Sequence, residues 1–386
     1  MVMSRLKRDG KVERIEWALL KGVRSRPAGG NARLGVHGKE VPMDIVRITI
    51  EGVTGFGWSR ISKENAKQLV GLTVSDLFTT EGKVKPSYYA IEFPLLDWLG
   101  KYTKKPVYQL FLDSSVDEYS VPCYDTSLYF DDLHLESDED AVELIQMEAL
   151  EGVKKGHRHF KIKVGRGAMH MQLEKGKKRD IAIIRGVREV LGPDSKIMID
   201  ANNGYNLNLT KEVLTETADA NLTWIEEPFH EDPEYLSELK SWLEKQNLNI
   251  MVVDGEGNAD VNIVRWAKDG LLDAIQYDIR QYGFHKWLEL GEELDKANVH
   301  TAPHNYGGSY GNFALMHLAP NINGFLFVEW DGMDIQGIDD SAYVIKEGEV
   351  SVPNSPGFGL NLDDDYYTNL LNNNGWHVEW NHKQRI

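Results

Sequence analysis

Ionisable side chains stand at the ends of a series of short apolar segments in the later part of the chain. The segment Phe160-Lys161-Ile162-Lys163-Val164 carries two lysines, and side chains two residues apart point to the same face of a strand. In chain order, the later segments end in Asp200, Glu226, either Asp254 or Glu256, Asp278, His304 and Glu329. Because lysines are rarely buried without a partner, two lysines on one interior face need an explanation.

These residue types together indicate a metal site flanked by acid/base groups. Three neighbouring carboxylates, from Asp200, Glu226 and the segment of Asp254 and Glu256, repel each other strongly unless a cation joins them. Hard oxygen ligands that leave some coordination positions open suit Mg²⁺. Lysines on one side and a histidine on the other supply two candidate acid/base groups that face each other across the metal.

The elements that carry these residues alternate between strand and helix. The strand candidates are Tyr119 to Tyr124, His159 to Val164, Lys196 to Asp200, Leu222 to Glu226, Asn249 to Asp254, Asp273 to Asp278, Val299 to Pro303 and Phe325 to Glu329. Most are spaced by about 25 residues, which suits a strand, a helix and two loops, and predicts a (β/α)8-type barrel over residues 121–344. In such a barrel the strand ends meet at one mouth, where active sites lie.

The remaining residues predict an α+β capping domain. Residues 1–120 contain strands around Val46 to Ile50 and after Gly52, followed by apolar residues at helical spacing between 85 and 112. Residues 345–386 lose the alternating pattern and are expected to return to this cap. The polar, glycine-rich stretch from Arg24 to Lys39 is predicted to be a lid or binding loop.

Composition and charge exclude several classes of protein. The chain has 386 residues, with 60 acidic against 43 basic side chains and a formal net charge of -17. An acidic chain is a poor binder of polyanions, so we expect no nucleic acid and no anionic membrane as the main partner. A single cysteine rules out an intrachain disulfide framework. With no apolar run of ~18 residues and a charged N-terminus, we expect a cytoplasmic protein without a secretory signal.

Each feature taken alone has a structural explanation. A carboxylate at a strand end is often a turn residue or the N-cap of a helix, a Lys-x-Lys pair is usually a solvated edge, and a single histidine is usually hydrogen-bonded in the core. Ionisable groups at seven consecutive strand ends, in the order expected for a metal with acid/base groups, favour a catalytic site.

The constellation resembles the enolase superfamily and, within it, the mandelate racemase subgroup. The motifs that carry the resemblance are Lys161-Ile162-Lys163, Ile199-Asp200-Ala201-Asn202, Ile225-Glu226-Glu227-Pro228, Gly255-Glu256, Asp278, Pro303-His304 and Glu329. The resemblance implies one Mg²⁺ held by Asp200, Glu226 and Glu256. Asp254 is the alternative third ligand, since it would also point inward. A homo-oligomer is a further expectation from the family.

The resemblance also implies roles for the other residues. Lys163 would be a base, supported by Lys161, whose charge, with that of the metal, would lower the pKa of Lys163. Asp278 and His304 would form a dyad on the opposite face. Glu329 would hydrogen-bond the substrate carboxylate.

The implied reaction begins with removal of the proton next to a carboxylate. The polar loop with Arg24 and Arg33 favours a polyhydroxylated acid, so we expect dehydration of an acid sugar to a 2-keto-3-deoxy acid, with Asn202 and Arg60 as further substrate contacts. A cycloisomerase of an anhydro or lactone sugar acid and a racemase or epimerase of a 2-hydroxy acid remain open. An aldolase with a Schiff-base lysine and a non-catalytic sugar-acid-binding barrel are the alternatives from other classes.

Overall fold

The computed structural model describes residues 10–112, 116 and 119–381. The N-terminal residues 1–9, part of the stretch for which the sequence predicts no secretory signal, lie outside this set. Within it, the chain has the predicted α/β fold with an N-terminal cap and a barrel-like domain. No helix in these ranges combines the length and apolarity needed to cross a membrane.

The cap is built on an antiparallel sheet. Its elements are β1 (Val12–Ala28), β2 (Gly38–Ile50), β3 (Val53–Trp58), α1 (Lys63–Leu69), α2 (Val74–Leu77) and α3 (Glu92–Thr103). Alternating apolar residues of β1 and β2 are buried, as expected for a sheet with one face on a core. The stretch predicted as helical between 85 and 112 contains α3 between two short 3₁₀ helices, Pro86–Ile91 and Val107–Leu110.

The predicted loop between Arg24 and Lys39 is shorter in the structure. β1 continues to Ala28 and β2 begins at Gly38, so only residues 29–37 form the loop. The polar residues at the end of β1 still alternate between buried and exposed positions, and Val23 pairs with Glu40 of β2. The sequence therefore predicted a loop where β1 continues, because the last residues of this strand are polar.

The barrel-like domain contains a run of parallel strands separated by helices. The strands are β4 (Tyr119–Leu128), β5 (His159–Lys163), β6 (Ile197–Asp200), β7 (Trp224–Glu226), β8 (Met251–Asp254), β9 (Ala274–Ile275), β10 (His300–Thr301) and β11 (Val328–Trp330). The helices are α4 (Asp138–Lys154), α5 (Leu173–Leu191), α6 (Leu207–Glu216), α7 (Pro233–Lys245), α8 (Ile263–Lys268), α9 (Ile279–Tyr282), α10 (Phe284–Lys296) and α11 (Tyr310–Leu318).

Strand pairing follows chain order around this domain. Each strand from β4 to β9 pairs in parallel with the next, and β11 pairs in parallel with β4. The amide of Leu326, just before β11, donates a hydrogen bond to the carbonyl of Thr301 in β10. The ends of all eight strands therefore face one side, as predicted.

The C-terminal segment contacts both parts of the molecule. Its elements are β12 (Met333–Ile335), β13 (Ile338–Asp339), β14 (Val344–Lys346), β15 (Glu349–Val352), β16 (Asn361–Leu362), α12 (Asp364–Asn374) and β17 (Trp376–Glu379). β12 and β17 pair with β1 of the cap, whereas β15 pairs with β4 of the barrel-like domain. Strand pairing thus crosses the predicted domain boundary near residue 344 in both directions.

Candidate active site

The register of three neighbouring strands brings the first candidate residues together. Lys163 of β5 lies beside Asp200 of β6, and Asp200 lies beside Glu226 of β7. Each ends its strand, and each side chain is buried. The Lys163 ammonium donates a hydrogen bond to Asp200 Oδ2. Parallel pairing in register therefore places an amine next to two carboxylates at one end of the sheet.

Lys161 lies one layer deeper on the same face of β5. Its Nζ is 2.7 Å from Glu226 Oε1, 2.8 Å from Glu329 Oε1 and 3.6 Å from Asp200 Oδ2. The side chain is fully buried. The two lysines of the Lys-x-Lys pair thus point inward, and the surrounding carboxylates compensate their charge.

Asp200, Glu226 and Glu256 form a group suited to a metal ion. Each offers a carboxylate oxygen, and these oxygens lie within 4.8 Å of one another. Glu256 Oε2 and Asn202 Oδ1 are buried at this group and accept no hydrogen bond. Hard oxygen donors with unused lone pairs fit a divalent cation such as Mg²⁺.

The geometry favours Glu256 over Asp254 as the third ligand of this group. Asp254 ends β8 and is completely buried, but it does not belong to the set of carboxylates that converge. Asp254 Oδ1 accepts a hydrogen bond from the amide of Gly255. Burial raises the pKa of Asp254 well above its ordinary value, and Glu227 adds to that effect.

Asp278 and His304 form a hydrogen-bonded pair across from the lysines. His304 Nδ1 lies 3.1 Å from Asp278 Oδ2, and His304 Nε2 lies 3.5 Å from Glu256 Oε2. Burial opposes the imidazolium, but the charge of Glu256, followed by that of Glu329, raises the pKa of His304 to about 10. Asp278 also caps α9 by accepting from the amides of residues 280 and 281, which fixes its carboxylate.

Glu329 of β11 is held as a hydrogen-bond acceptor. Its Oε1 accepts from the Thr126 hydroxyl at 2.6 Å, and its Oε2 accepts from the backbone N–H of Asn305 at 2.8 Å. Burial raises the pKa of this carboxyl, but the charges of Lys161 and His304 and the hydrogen bonds from Lys161 and Thr126 together outweigh burial, and the pKa lies below its ordinary value. Neither Thr126 nor Asn305 carried a signal in the sequence.

The pKa of Lys163 differs from the sequence-based expectation. Burial lowers it most and the charge of Lys161 lowers it as expected, but the carboxylates of Asp200, Glu256 and Glu226 together raise it by more. The pKa of Lys163 therefore lies above its ordinary value among these carboxylates. A cation held by the same carboxylates would oppose this attraction.

The loop of residues 29–37 closes over the barrel end from the cap. Arg33 Nη2 is 2.9 Å from Glu227 Oε2 and 4.0 Å from Glu256 Oε1, so the predicted substrate contact Arg33 lies at the edge of the site. A Cβ on Gly165, where φ is +98°, would meet the Cβ of Ala32 at 2.8 Å. Glycine there allows the loop to approach the end of β5 closely.

Asn202 lies inside the site, beside the metal-suited group. Its Nδ2 donates to Glu227 Oε2 at 2.9 Å and lies 3.4 Å from Asp200 Oδ2. Its backbone adopts a positive φ of 42°. This placement allows Asn202 to orient the Asp200 carboxylate.

The other two predicted arginines lie elsewhere. Arg24 is buried against Asp331 at 3.4 Å, with its guanidinium 4.7 Å from the Tyr306 ring centroid. Arg60 is largely exposed and pairs with Asp44 at 3.2 Å. Within the described residues, Arg60 forms no ion pair with the lysines or carboxylates of the site, because its guanidinium lies beside Trp58 at the boundary between the cap and the barrel-like domain.

Comparisons with known proteins agree with this geometry. The sequence model of the family "Enolase C-terminal domain-like" matches residues 145–366, more than half of the chain. The chain belongs to the enolase superfamily.

Its solved relatives cover almost the whole chain. A mutant of galacturonate dehydratase from Geobacillus sp., complexed with Mg, is 50% identical over 98% of this chain and 99% of that chain, with a TM-score of 0.95. The same enzyme, complexed with D-galacturonate and 5-keto-4-deoxy-D-galacturonate, is 51% identical over 96% of this chain and 100% of that chain, with a TM-score of 0.93.

A curated relative is more distant. Arabinonate dehydratase from Saccharolobus solfataricus is 25% identical, covering 72% of this chain and 70% of that protein. These relatives confirm the predicted resemblance to the mandelate racemase subgroup and its acid-sugar dehydratases.

Several residues at this enolase-superfamily site were not assigned by the sequence. Glu227 follows Glu226 in a Glu-Glu-Pro motif, yet its side chain bonds Arg33 and Asn202. His37 lies in the polar stretch between Arg24 and Lys39, and the sequence predicted no role for it. Its ring packs edge-on against Tyr129 and Tyr306, and its Nε2 is buried without a hydrogen bond.

The environment keeps the His37 imidazole neutral. Burial lowers its pKa to about 4, and Lys163 contributes to the shift. The Lys163 ammonium lies over the ring of Tyr129, and its Nζ is 5.3 Å from the centroid of that ring. Because aromatic residues are common in protein cores, the sequence did not indicate that Tyr129 and Tyr306 would pack around His37.

Proposed function

We propose that the protein is a Mg²⁺-dependent acid-sugar dehydratase, and that its substrate is a uronate of the D-galacturonate type. The observation that carries the proposal is the 50% identity to galacturonate dehydratase over 98% of the chain. The convergence of the carboxylates of Asp200, Glu226 and Glu256 between an amine and a histidine supports it.

The chemistry of D-galacturonate fits such a site. Its carboxylate carbon is C6, so the acidic proton lies on C5 and the hydroxyl that can leave lies on C4. Loss of both as water gives an enol that becomes a ketone at C5 and a methylene group at C4. Counted from the carboxylate, this product is the 2-keto-3-deoxy pattern expected from the sequence, and it matches the ligand of the Geobacillus enzyme.

Metal binding, charge stabilisation and substrate binding would be carried out by different residues of the site. Asp200, Glu226 and Glu256 would hold Mg²⁺, which supplies positive charge for the negative charge that develops on the substrate carboxylate. Lys161 adds a fixed cation beside that charge. The buried His37 Nε2 and the partly exposed Arg33 would bind sugar hydroxyls from the cap side.

Two groups would move protons. Lys163 would take the proton from C5, and His304, oriented by Asp278, would deliver a proton to the departing hydroxyl. Glu329 holds Lys161 in place and faces the carboxylate end of the substrate. Elimination leaves the enol in the site, where C4 would take a proton from the Lys163 ammonium and the enol hydroxyl would lose its proton to His304, so that both groups return to their starting states.

We also propose the finer architecture that the sequence predicted. The eight strands would form a (β/α)8-type barrel over residues 121–344, with residues 1–120 and 345–386 as its cap, and β12 and β15 would join the two parts by pairing across this boundary. Homo-oligomerisation remains a prediction.

A panel of acid sugars tests the proposal. The purified protein is incubated with Mg²⁺ and D-galacturonate, D-glucuronate, D-galactonate or galactarate, and α-keto acid products are trapped with semicarbazide. We expect a product from D-galacturonate that disappears with EDTA and returns with Mg²⁺. D-glucuronate differs only in configuration at C4, so it tests whether the leaving hydroxyl is recognised.

The alternatives give different results in the same assay. A ring-opened product from an anhydro or lactone acid would indicate a cycloisomerase. Exchange of the α-proton without a keto product would indicate a racemase or epimerase. Binding without any reaction, with Mg²⁺ present, would favour a binding protein and contradict the proposal.

A further inference from the structure

A crevice between the cap and the barrel-like domain combines positive charge with aromatic walls. The seam crevice has a volume of about 280 Å³, and among its lining residues are Trp58, Arg60, Tyr89, Arg280, Tyr282 and Lys286. Its size is near the lower end of ligand pockets, which are roughly 300–1,000 Å³. A single sugar ring is a ligand of suitable size.

The charge of the seam crevice contrasts with the rest of the protein. It is lined by three cationic side chains in a chain of net charge -17. Its one lining carboxylate, Glu92, is buried and accepts hydrogen bonds from the amides of Phe284 and His285. That carboxylate is therefore committed to the start of α10, while the cations face the crevice.

The cations are only partly compensated. Arg60 pairs with Asp44 at 3.2 Å. Arg280 donates to the carbonyls of Tyr306 and Gly307, but its Nε is buried and has no acceptor. Across the residues that the structure describes, the ammonium of Lys286 forms no salt bridge and lies over the Tyr282 ring.

Aromatic faces line the same space. The guanidinium groups of Arg60 and Arg280 each lie 5.7 Å from the Trp58 ring centroid, and Lys286 Nζ lies 5.6 Å from the Tyr282 ring. Cations held beside aromatic rings can bind a carboxylate, while the rings pack against the C–H face of a sugar.

We propose that the seam crevice is a second binding site for a carbohydrate carboxylate, separate from the catalytic site. The choice of an acid sugar rests on the proposed function. The crevice borders the catalytic dyad through Arg280, whose Nη2 lies 3.8 Å from Asp278 Oδ2. Arg280 also fixes the backbone that follows His304, so the two sites share one structural element.

Binding stoichiometry tests the second site. Radiolabelled D-galacturonate is dialysed to equilibrium with Mg²⁺ against the Lys163→Ala variant, which should bind substrate without turnover. We expect two molecules per chain, and one when Arg60→Gln and Lys286→Glu are added. Arg265→Gln with Lys268→Glu makes the same charge change on α8, away from the crevice, and should leave two.

The outcomes separate the two proposals. One molecule per chain in every variant, or two with both crevice cations changed, would overturn the second site. If Lys163→Ala binds one D-galacturonate per chain and binds none once the crevice substitutions are added, the result would support the crevice as a binding site and contradict D-galacturonate as the substrate. Neutral D-galactose should not compete, and stronger competition by inorganic phosphate would overturn the assignment to a sugar carboxylate.

Discussion

Two buried ion networks lie next to each other at the end of β5, and they differ in completeness. In the first, Arg166 donates to both oxygens of Asp132 and, at 2.8 Å, to Asp180 Oδ1. Asp180 Oδ2 also accepts from the Tyr205 hydroxyl and the Gly165 amide. We call these residues the arginine network; in the part of the chain that the structure describes, none of its buried side-chain polar atoms lacks a partner.

The second network contains the lysines and the carboxylates of the active site. We call it the lysine network: Lys161, Lys163, Asp200, Glu226, Glu256 and Glu329. Here Glu256 Oε2 accepts no hydrogen bond, and the neighbouring Asn202 Oδ1 and Asp254 Oδ2 have no partners either. Burial without partners is costly, so a fully paired network stabilises the fold, whereas an incomplete one is suited to binding a cation and substrate.

The largest difference should appear when Lys163 is replaced. Lys163→Ala removes the proposed base, and we expect turnover to fall about 10³-fold, because a positioned base commonly supplies 10²- to 10⁴-fold. Initial rates of α-keto acid formation measure the loss. Lys178→Ala, an exposed lysine on α5, is the control and should keep full activity. A fall of less than about tenfold for Lys163→Ala would remove it from the mechanism.

Breaking the arginine network should affect stability instead. Arg166→Met leaves Asp180 buried without its cation and Asp132 with only Arg179, at 3.6 Å, and we expect the free energy of unfolding to fall by about 3 kcal/mol. Urea denaturation measures this change. Arg185→Met, on the exposed side of α5, the helix that carries Asp180, should change it by less than about 0.5 kcal/mol. Equal stability of the two variants would show that the arginine network is not structural.

Mg²⁺ should stabilise the protein only through the lysine network. At a free concentration of about 100 times Kd, a ligand of the native state adds about 2.7 kcal/mol to the free energy of unfolding. Thermal unfolding with Mg²⁺ and with EDTA measures the effect. It should be lost in Glu256→Gln and kept in Asp254→Asn. The reverse pattern would assign the third ligand to Asp254.

The smallest effect should come from the residue that orients Asp200. Asn202→Ala removes the amide beside Asp200 and Glu227, and we expect about a tenfold loss of Mg²⁺ affinity, since partners of metal ligands commonly contribute 10- to 100-fold. Titration with Mn²⁺ followed by electron paramagnetic resonance measures the affinity. Asn203→Ala is a matched control, because its φ is also positive at 60° but it bonds only Glu227. Equal losses of metal affinity in the two variants would indicate an effect of the strained backbone rather than loss of the orientation of the Asp200 carboxylate.

The two networks also show what the sequence could predict. The lysine network sits on strand ends, where period-two alternation and the order of strands decide which side chains meet, so the placement of Lys161, Asp200 and Glu226 follows from pattern alone. Arg166 lies in the turn after β5 and Asp180 lies in α5. No sequence periodicity relates the two positions, so their contact could not be predicted.

The cap was harder to predict for a related reason. Arg33 and Arg60 have the same chemistry and lie in comparable polar stretches, yet one reaches Glu227 and the other pairs with Asp44 on the cap. Which of the two arginines faces the barrel-like domain depends on how the cap packs against that domain. This packing produces no local pattern in the sequence, so it could not be predicted. His37 acquires its neutral state from the same packing.

Proton NMR of D-galacturonate with Mg²⁺ in D2O tests the central claim most directly. We predict loss of the C5 proton signal together with formation of a 5-keto-4-deoxy product that carries deuterium at C4. Both changes should depend on Mg²⁺ and be absent in Lys163→Ala. A C5 proton that persists in the wild-type protein with Mg²⁺ bound, or a product formed equally well by Lys163→Ala, would contradict the proposed roles of the lysine network.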